Sequence, residues 1–191
     1  AQLKDAQGRT LPATKSLFDN KEATLHPPFA KGQCSLCHKP HAAESARLVA
    51  KGYPAGFYAG FSKDAYGLCF TCHESEAFEK PRTLSDTGFR NGNLNLHYRH
   101  VNRDKGRSCG ACHSPHGSTQ PRLIHPSFQF GEKLLALKYE KTETGGSCTT
   151  ACHAPIRYDR CKPEEIALQT TPRAGSDATP EELMQACEKK K

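Results

Sequence analysis

The sequence predicts a fold that is mostly irregular coil with a few short α-helices, arranged as two pseudo-repeats. Only 36% of the 191 residues are hydrophobic, none is Trp, and the mean hydropathy is −0.72. Four times along the chain, two nearby cysteines are followed directly by a histidine, and part of the sequence recurs at an offset of 75 residues. A chain with so little apolar material cannot build an ordinary core. We therefore expect less regular structure than the ~30–35% helix and ~20–25% strand of typical domains.

The cysteine-histidine clusters have the spacing of c-type haem attachment sites. They are Cys34/Cys37/His38, Cys69/Cys72/His73, Cys109/Cys112/His113 and Cys148/Cys152/His153. In such a site the two thiols add to the haem vinyl groups and the next histidine supplies an axial imidazole. The first three clusters read C-x-x-C-H, and the fourth has one extra residue between its cysteines. The sequence thus predicts four covalent haems, with the four histidines as proximal iron ligands and the chain wrapped around the stacked haems.

Structural zinc is the main alternative for paired cysteines. Zinc needs four thiolate or imidazole ligands around one ion, and zinc ribbons bring cysteine pairs together two at a time. They do not require a histidine directly after the second cysteine of every pair. The adjacent imidazole at all four pairs therefore favours haem over zinc or plain disulfides.

Charge and hydropathy exclude two other classes of protein. The formal net charge is +7, but each haem carries two propionates, so four haems more than offset this excess. We interpret the surplus Lys and Arg as partners of propionates. No basic stretch is interleaved with aromatic residues that could stack on bases, which argues against nucleic-acid binding. No stretch approaches the ~20 apolar residues of a transmembrane helix, so we expect no membrane-spanning segment.

Haem attachment of this kind implies export, so we expect an extracellular or cell-surface location, with the periplasm as the alternative. Cys161 and Cys187 remain after eight cysteines are assigned to haem. In an oxidising compartment they are expected to form a disulfide, and two free buried thiols are the alternative. Between them, Thr179, Pro180 and Glu182 predict the start of a short helix.

The repeat divides the chain into two two-haem units. Seven residues recur 75 positions later: Cys34, Cys37, His38, Pro40, His41, Arg47 and Leu48 match Cys109, Cys112, His113, Pro115, His116, Arg122 and Leu123. This predicts an N-terminal arm at 1–25, units at 26–78 and 97–160 joined by a linker at 79–96, and a C-terminal tail at 161–191. Within this scheme, Arg90–Asn95 is expected to be a loop that separates the units. Glu132–Tyr139 is expected to form a short helix.

These motifs resemble those of a known family. The run from His26 to His41, followed by Cys69 to His73, resembles the doubled-CxxCH-motif family of multihaem c-type cytochromes, and His97–Gly117 repeats it. Haem count, chain size and the N-terminal arm also resemble the OmcE-like tetrahaem filament cytochromes of metal-reducing bacteria. The second resemblance implies a homopolymer in which a histidine of one subunit can complete a haem of its neighbour. His26 is the first candidate and His125 the second; alternatively, both act within their own chain.

Counting predicts two histidines on every iron. Of ten histidines, four are proximal and six remain as distal candidates: His26, His41, His97, His100, His116 and His125. Met184, the only methionine, cannot serve four irons. Symmetry between the repeats pairs His26 with the first haem, His41 with the second, His100 with the third and His116 with the fourth. His97 is the rival at the third haem and His125 is the spare.

An iron with two axial histidines exchanges electrons but has no free position for a substrate. We therefore expect electron transfer rather than catalysis, most simply in a conductive extracellular filament that carries respiratory electrons to external acceptors. A soluble periplasmic tetrahaem shuttle that docks with other redox proteins is the alternative. A haem oxidoreductase with one open iron is the third possibility. The surplus of histidines and the four intact attachment motifs argue against it.

Overall fold

Short elements joined by irregular segments make up the chain in the computed structural model, which describes residues 14–41, 47–166 and 177–188. Within these residues the α-helices are α1 Thr14–Asp19, α2 Pro27–Ala30, α3 Leu96–Val101, α4 Cys109–Cys112 and α5 Pro180–Glu188. Short 3₁₀ turns cover Cys34–Leu36, Cys69–Thr71, Ser75–Phe78 and Pro121–Leu123. None of the helices in the described part of the chain is long and apolar enough to cross a membrane. The few short helices agree with the sequence prediction, but the chain contains more β-strand than the mostly irregular fold that was predicted.

The strands form three antiparallel sheets. They are β1 Thr24–Leu25, β2 Arg90–Asn91, β3 Leu94–Asn95, β4 Gly117–Ser118, β5 Ser127–Phe130, β6 Lys133–Lys141, β7 Gly145–Thr150 and β8 His153–Asp159. Strand β1 pairs with β4, β2 pairs with β3, and the last four strands form one sheet in the order β5-β6-β7-β8. The larger sheet is a simple meander, because each strand pairs with the next one along the chain.

The helix predicted at Glu132–Tyr139 is wrong, because all of this segment after Glu132 lies in strand β6. Leu135, Leu137 and Tyr139 are turned toward the interior, whereas the intervening side chains and Leu134 are exposed. This is the two-residue period of a half-buried strand. The prediction gave weight to the cluster of leucines and missed their alternation.

The loop predicted at Arg90–Asn95 is also wrong. Strands β2 and β3 form a tight hairpin there, with Asn91 opposite Leu94 and a turn at Gly92, whose φ is +55°. Glycine adopts this left-handed conformation without the steric cost of a side chain. Arg90, Asn91 and Asn95 are fully buried, so the hairpin belongs to the interior rather than to an exposed linker.

The apolar core at this point is small. Leu94, Leu96 and Tyr158 are buried together, with Phe89 and Tyr139 packed against them. The hydroxyls of Tyr139 and Tyr158 share a hydrogen bond of 2.9 Å across the sheet. The buried amide of Asn91 adds polar links: its Oδ1 accepts hydrogen bonds from the backbone N–H groups of Asp159 and Glu164. The β2–β3 hairpin, strand β8 and the start of the C-terminal tail are therefore packed and hydrogen-bonded together.

Strands β1 and β4 join the end of the predicted N-terminal arm to the second repeat. Thr24 lies opposite Ser118, and Leu25 lies opposite Gly117. A Cβ atom on Gly117 would lie 3.0 Å from both the Leu25 side chain and the Thr24 carbonyl oxygen. The close approach of the two strands thus depends on glycine. It also means that the end of the arm is linked to the second repeat by backbone hydrogen bonds.

Helix α5 starts where the sequence predicts. The Thr179 N–H donates to Glu182 Oε2 at 2.8 Å, and the Glu182 N–H donates to Thr179 Oγ1 at 3.2 Å. This reciprocal capping box satisfies two backbone donors that the first turn would otherwise leave free. Leu183 is buried and Cys187 forms a disulfide with Cys161. The disulfide anchors the helix to the end of β8.

Replacing both Cys161 and Cys187 with Ser should lower the free energy of unfolding by about 3.5 kcal/mol, since the disulfide closes a loop between residues 26 positions apart. Urea unfolding followed by far-UV circular dichroism measures the change. Met184→Ala, at an exposed position of the same helix, should change stability by less than about 0.5 kcal/mol. A double variant as stable as the parent would contradict the expectation.

Candidate haem-binding sites

The first three attachment motifs fold into the same local turn. The backbone N–H of the proximal histidine donates to the carbonyl of the first cysteine at 2.9 Å for His38, 3.0 Å for His73 and 2.8 Å for His113. One helical turn places residues i, i+3 and i+4 on a single face. Both sulfurs and the imidazole of each motif therefore start from the same side of the turn, as attachment to one haem requires.

The fourth motif has a different local structure. Cys148 lies in strand β7, His153 opens β8, and the two strands are out of regular register between Cys148 and Thr150. Thr150 is paired with His153, so Cys152 lies in the hairpin turn. The additional residue of the C-x-x-x-C-H spacing thus belongs to an irregular β-hairpin. Sequence reasoning found the motif but did not predict this context.

The proximal histidines of the first and third motifs are held by equivalent backbone carbonyls. His38 Nδ1 lies 3.1 Å from the Arg47 oxygen, and His113 Nδ1 lies 2.9 Å from the Arg122 oxygen. Because a carbonyl only accepts, Nδ1 carries the proton in both rings. Nε2 is then left with its lone pair for a metal. The repeat, at its offset of 75 residues, therefore preserves the carbonyl group that holds the proximal histidine as well as the histidine itself.

Three other histidines also direct Nδ1 to an oxygen. His97 Nδ1 lies 2.7 Å from Thr87 Oγ1, His100 Nδ1 lies 2.7 Å from the Leu96 carbonyl, and His153 Nδ1 lies 2.7 Å from the Ala154 carbonyl. Burial lowers the pKa of His97 to about 3 and of His100 to about 4, with nearby positive charges adding to the effect. Both rings are therefore neutral near pH 7, the state in which an imidazole binds a metal.

Three pairs of imidazole rings face each other at nearly the same separation. The ring centres are 6.2 Å apart for His26 and His73, 6.1 Å for His38 and His116, and 6.4 Å for His97 and His113. In every pair one member is the proximal histidine of an attachment motif. The remaining proximal histidine, His153, is close enough to His100 for its charge to lower the pKa of that ring.

This separation is a test of whether the residues fit haem. An imidazole nitrogen lies about 2 Å from the metal it binds, and its ring centre lies ~1.1 Å farther away. Two imidazoles on opposite sides of one iron therefore have centres roughly 6.2 Å apart. The three pairs have this spacing beside cysteines with attachment spacing, so the donor set fits c-type haem with two axial histidines.

The structure pairs His26 and His116 differently from the sequence prediction. His26 faces His73 of the second motif rather than His38 of the first, and His116 faces His38 rather than His153. The reason is the pairing of β1 with β4, in which the His26 N–H donates to the His116 carbonyl at 2.9 Å. A residue of the second repeat thus lies at the first motif. Local symmetry could not reveal this contact between distant strands.

Helix α3 brings His97 and His100 to the two later motifs. Asn95 caps the helix by accepting the Tyr98 N–H at 3.1 Å, and its Nδ2 donates to the Ala77 and Lys80 carbonyls at 3.0 and 2.9 Å. His97, which the sequence placed as a rival at the third haem, faces His113. His100, predicted for that position, is instead near His153, as described above.

Two of the six distal candidates form no ring pair with a proximal histidine in the described part of the chain. His41 is exposed, and none of the ring contacts of the described residues involves it. His125 is half-buried, and its N–H donates to the Cys112 carbonyl at 2.8 Å. The prediction that His41 serves the second haem therefore finds no support in the structure.

The four motifs follow one another in space in their sequence order. The pKa of the Cys37 thiol is raised by burial and then by the charges of Cys72 and Cys69 of the second motif. The neighbouring Cys69 thiol and then burial raise the pKa of the Cys109 thiol of the third motif. Burial and then the neighbouring Cys148 raise the pKa of Cys112 to about 11. Each motif thus lies near the next.

Replacing His116 with Ala should remove one axial ligand of the first haem. We expect one haem in four to become high-spin and to bind carbon monoxide, as seen in absorption and electron paramagnetic resonance spectra. His41→Ala is the matched control, because His41 occupies the equivalent position of the repeat but is exposed. It should leave all haems low-spin; a high-spin haem in this variant alone would restore the pairing predicted from symmetry.

Comparison with known proteins agrees with the attachment chemistry. Residues 26–78 and 100–134 match the family model described as the doubled CXXCH motif. No curated protein and no solved structure matches the chain. The matched segments contain the first three attachment motifs and five of the six distal candidates, whereas His97 and the fourth motif lie outside them. Together with the motifs, the match supports a multihaem c-type cytochrome that binds haem covalently and works outside the cytoplasm.

Proposed function

We propose that this protein is a tetrahaem electron carrier in which each iron has two axial histidines. The observation that carries the proposal is the set of facing imidazole pairs, each with one proximal member. Bound haem supplies a reversible one-electron centre at each site. Two histidines fill both axial positions and leave no place for a substrate, which favours electron transfer over an enzymatic reaction.

The arrangement of the motifs supports one continuous electron path. Cysteines of the first and second motifs, of the second and third, and of the third and fourth are near enough to shift one another's pKa. His116 of the second repeat and His38 of the first also face each other, so the two halves share a site. Electrons could therefore enter at either end of the chain of haems and leave at the other.

The intact mass of the purified protein should exceed that of its polypeptide by four haems. Absorption and magnetic resonance spectra should show only low-spin haem in both redox states, without binding of carbon monoxide. Loss of the C-x-x-x-C-H site by replacing Cys148 and Cys152 with Ala should reduce the mass by one haem. Three haems in the parent protein, or one haem in four high-spin, would overturn the proposal.

We further propose that the protein works as the repeating subunit of an extracellular filament. The support is its resemblance to tetrahaem filament cytochromes and a set of exposed apolar side chains, which include Phe18, Leu36 and Leu134. Exposed apolar groups are a common means of contact between protein copies. A head-to-tail contact that repeats without closing gives an open filament rather than a ring.

A soluble periplasmic shuttle is the second candidate, and one observation favours it. His26, the first candidate for an exchanged ligand, faces His73 of its own chain at 6.2 Å. A neighbour's histidine is therefore not needed at that iron. In a filament of this chain, contact between subunits would then bring the haems of neighbouring subunits close together, and no histidine of one subunit would bind a haem of the next.

Negative-stain electron microscopy of the undenatured protein separates the two candidates. A filament predicts long fibres of uniform width, whereas dispersed particles of one chain each would support the shuttle. His26→Ala adds a second measurement. Because His26 lies beside His73 in the same chain, the variant should make the second haem high-spin while assembly is unchanged; loss of fibres would instead show that His26 acts between subunits.

A further inference from the structure

Thr87 contacts a proposed haem ligand from a segment that lies between the two predicted two-haem units. The residue is 6% exposed, whereas its neighbours Asp86 and Gly88 lie at the surface. Its Oγ1 atom lies 2.7 Å from His97 Nδ1. Thr87 and His97 are both outside the segments that match the family model. The contact is therefore a feature of this chain and is not part of the matched motif.

A second hydrogen bond fixes the position of the Thr87 hydroxyl. The Phe89 N–H donates to the same Oγ1 atom at 3.0 Å. The Leu96 N–H in turn donates to the Phe89 carbonyl at 3.0 Å, and Leu96 directly precedes His97 in helix α3. Backbone hydrogen bonds therefore hold the hydroxyl and the imidazole next to each other.

Aromatic rings enclose the His97 imidazole at the same place. Its ring centre lies 5.0 Å from that of Phe78 and 5.1 Å from that of Phe89, and His113 faces it at 6.4 Å. Aromatic rings packed at such distances are in direct contact, so the imidazole has little room to turn. The packing therefore keeps Nδ1 directed at the Thr87 hydroxyl.

The direction of this hydrogen bond follows from the role proposed for His97. Its Nδ1 is engaged by Thr87, so Nε2 is the nitrogen left for an iron. A neutral imidazole that binds a metal through Nε2 carries its proton on Nδ1, which must then donate. A hydroxyl oxygen has two lone pairs, so Oγ1 can accept from His97 and from Phe89 at once.

The kind of acceptor distinguishes His97 from the other supported histidines. Of the five Nδ1 contacts given above for the described residues, four are made by backbone carbonyls and that of His97 is made by a side chain. An acceptor at Nδ1 makes the metal-binding nitrogen more basic. A more basic ligand stabilises the ferric state and so lowers the reduction potential. At His97 alone among these five, replacing one side chain removes the acceptor.

We propose that Thr87 is a positioning residue for the third haem: its hydroxyl accepts the Nδ1 proton of His97, holds the ring as the distal ligand and lowers the reduction potential of that haem. This inference rests on the proposed function. Thr87 acts through His97, in the way that groups around a metal ligand adjust the metal. Because the third motif lies between the second and the fourth, the potential of its haem affects electron transfer along the whole path.

Thr87→Val tests the proposal, since it keeps a branched side chain and removes the hydroxyl. The midpoint potentials of the individual haems are measured by titration with a chemical reductant, followed by nuclear magnetic resonance of the haem methyl signals. The third haem should shift to higher potential, while the first, second and fourth keep the potentials of the parent. Thr87→Ser keeps the hydroxyl and should have the same four potentials as the parent.

Thr83→Val is the matched control. Thr83 is 8% exposed, and its Oγ1 accepts the backbone N–H groups of Ser85 at 3.2 Å and Asp86 at 2.9 Å. This variant thus removes a buried threonine hydroxyl that bonds to backbone rather than to a histidine. It should change none of the four potentials. A shift of the third haem in Thr83→Val or in Thr87→Ser as large as that in Thr87→Val would overturn the role of the Thr87 hydroxyl.

An unchanged or lowered potential of the third haem in Thr87→Val would also overturn it. A second measurement needs no variant: in the reduced parent protein with isotopically labelled histidine, nuclear magnetic resonance should show a proton on His97 Nδ1. An unprotonated or iron-bound Nδ1 would reject the proposal.

Each sample is checked for haem number by intact mass and for spin state by absorption. Four low-spin haems in the parent, with an unmoved third potential in Thr87→Val, would reject the role of Thr87 and leave the proposed function intact. A missing or high-spin haem in the parent would reject both.

Discussion

The spacing of about 6 Å between facing imidazoles is the constraint on which the rest of the structure depends. To hold two rings at this separation, the chain must support each histidine from its own backbone and leave room between them. It does so with short turns, one short helix and small sheets rather than with a large apolar core. The buried cluster around Leu94, Leu96 and Tyr158 is too small to organise the whole chain. The haems are expected to supply the remaining apolar contacts.

Backbone oxygens determine which nitrogen of each ring is available. Carbonyl groups accept from Nδ1 of His38, His100, His113 and His153, and a hydroxyl lies at the same atom of His97. Such contacts fix the orientation and the tautomer before any metal binds. At the first and third motifs the supporting segment also contains a left-handed residue at equivalent positions, Leu48 with φ of 54° and Leu123 with φ of 57°. Unfavourable backbone geometry of this kind is tolerated where it positions functional groups.

One contact between the repeats brings together a pair of facing imidazoles. His116 of the second repeat faces His38 of the first, because β1 and β4 bring His26 and His116 together. The other two ring pairs each lie within one repeat, so the molecule is less modular than its sequence at the first motif. The four motifs also lie near one another in sequence order, which provides the path on which the proposed electron transfer depends.

The sequence by itself determined the chemistry. Attachment spacing and the adjacent histidines indicate covalent haem, and together with the repeat they predict the proximal ligands and the candidates for distal ones, because those features are set by residues close together in the chain. The capping box of α5 is local for the same reason. Only the tertiary structure decided which candidate histidine faces which proximal one. His41 and His116 are equivalent in sequence, yet one is exposed and the other faces His38, because a strand far away in the sequence pairs beside only one of them. Pairing between strands that are far apart in the sequence leaves no local signal, since the residues of one strand do not specify which distant strand will lie beside it.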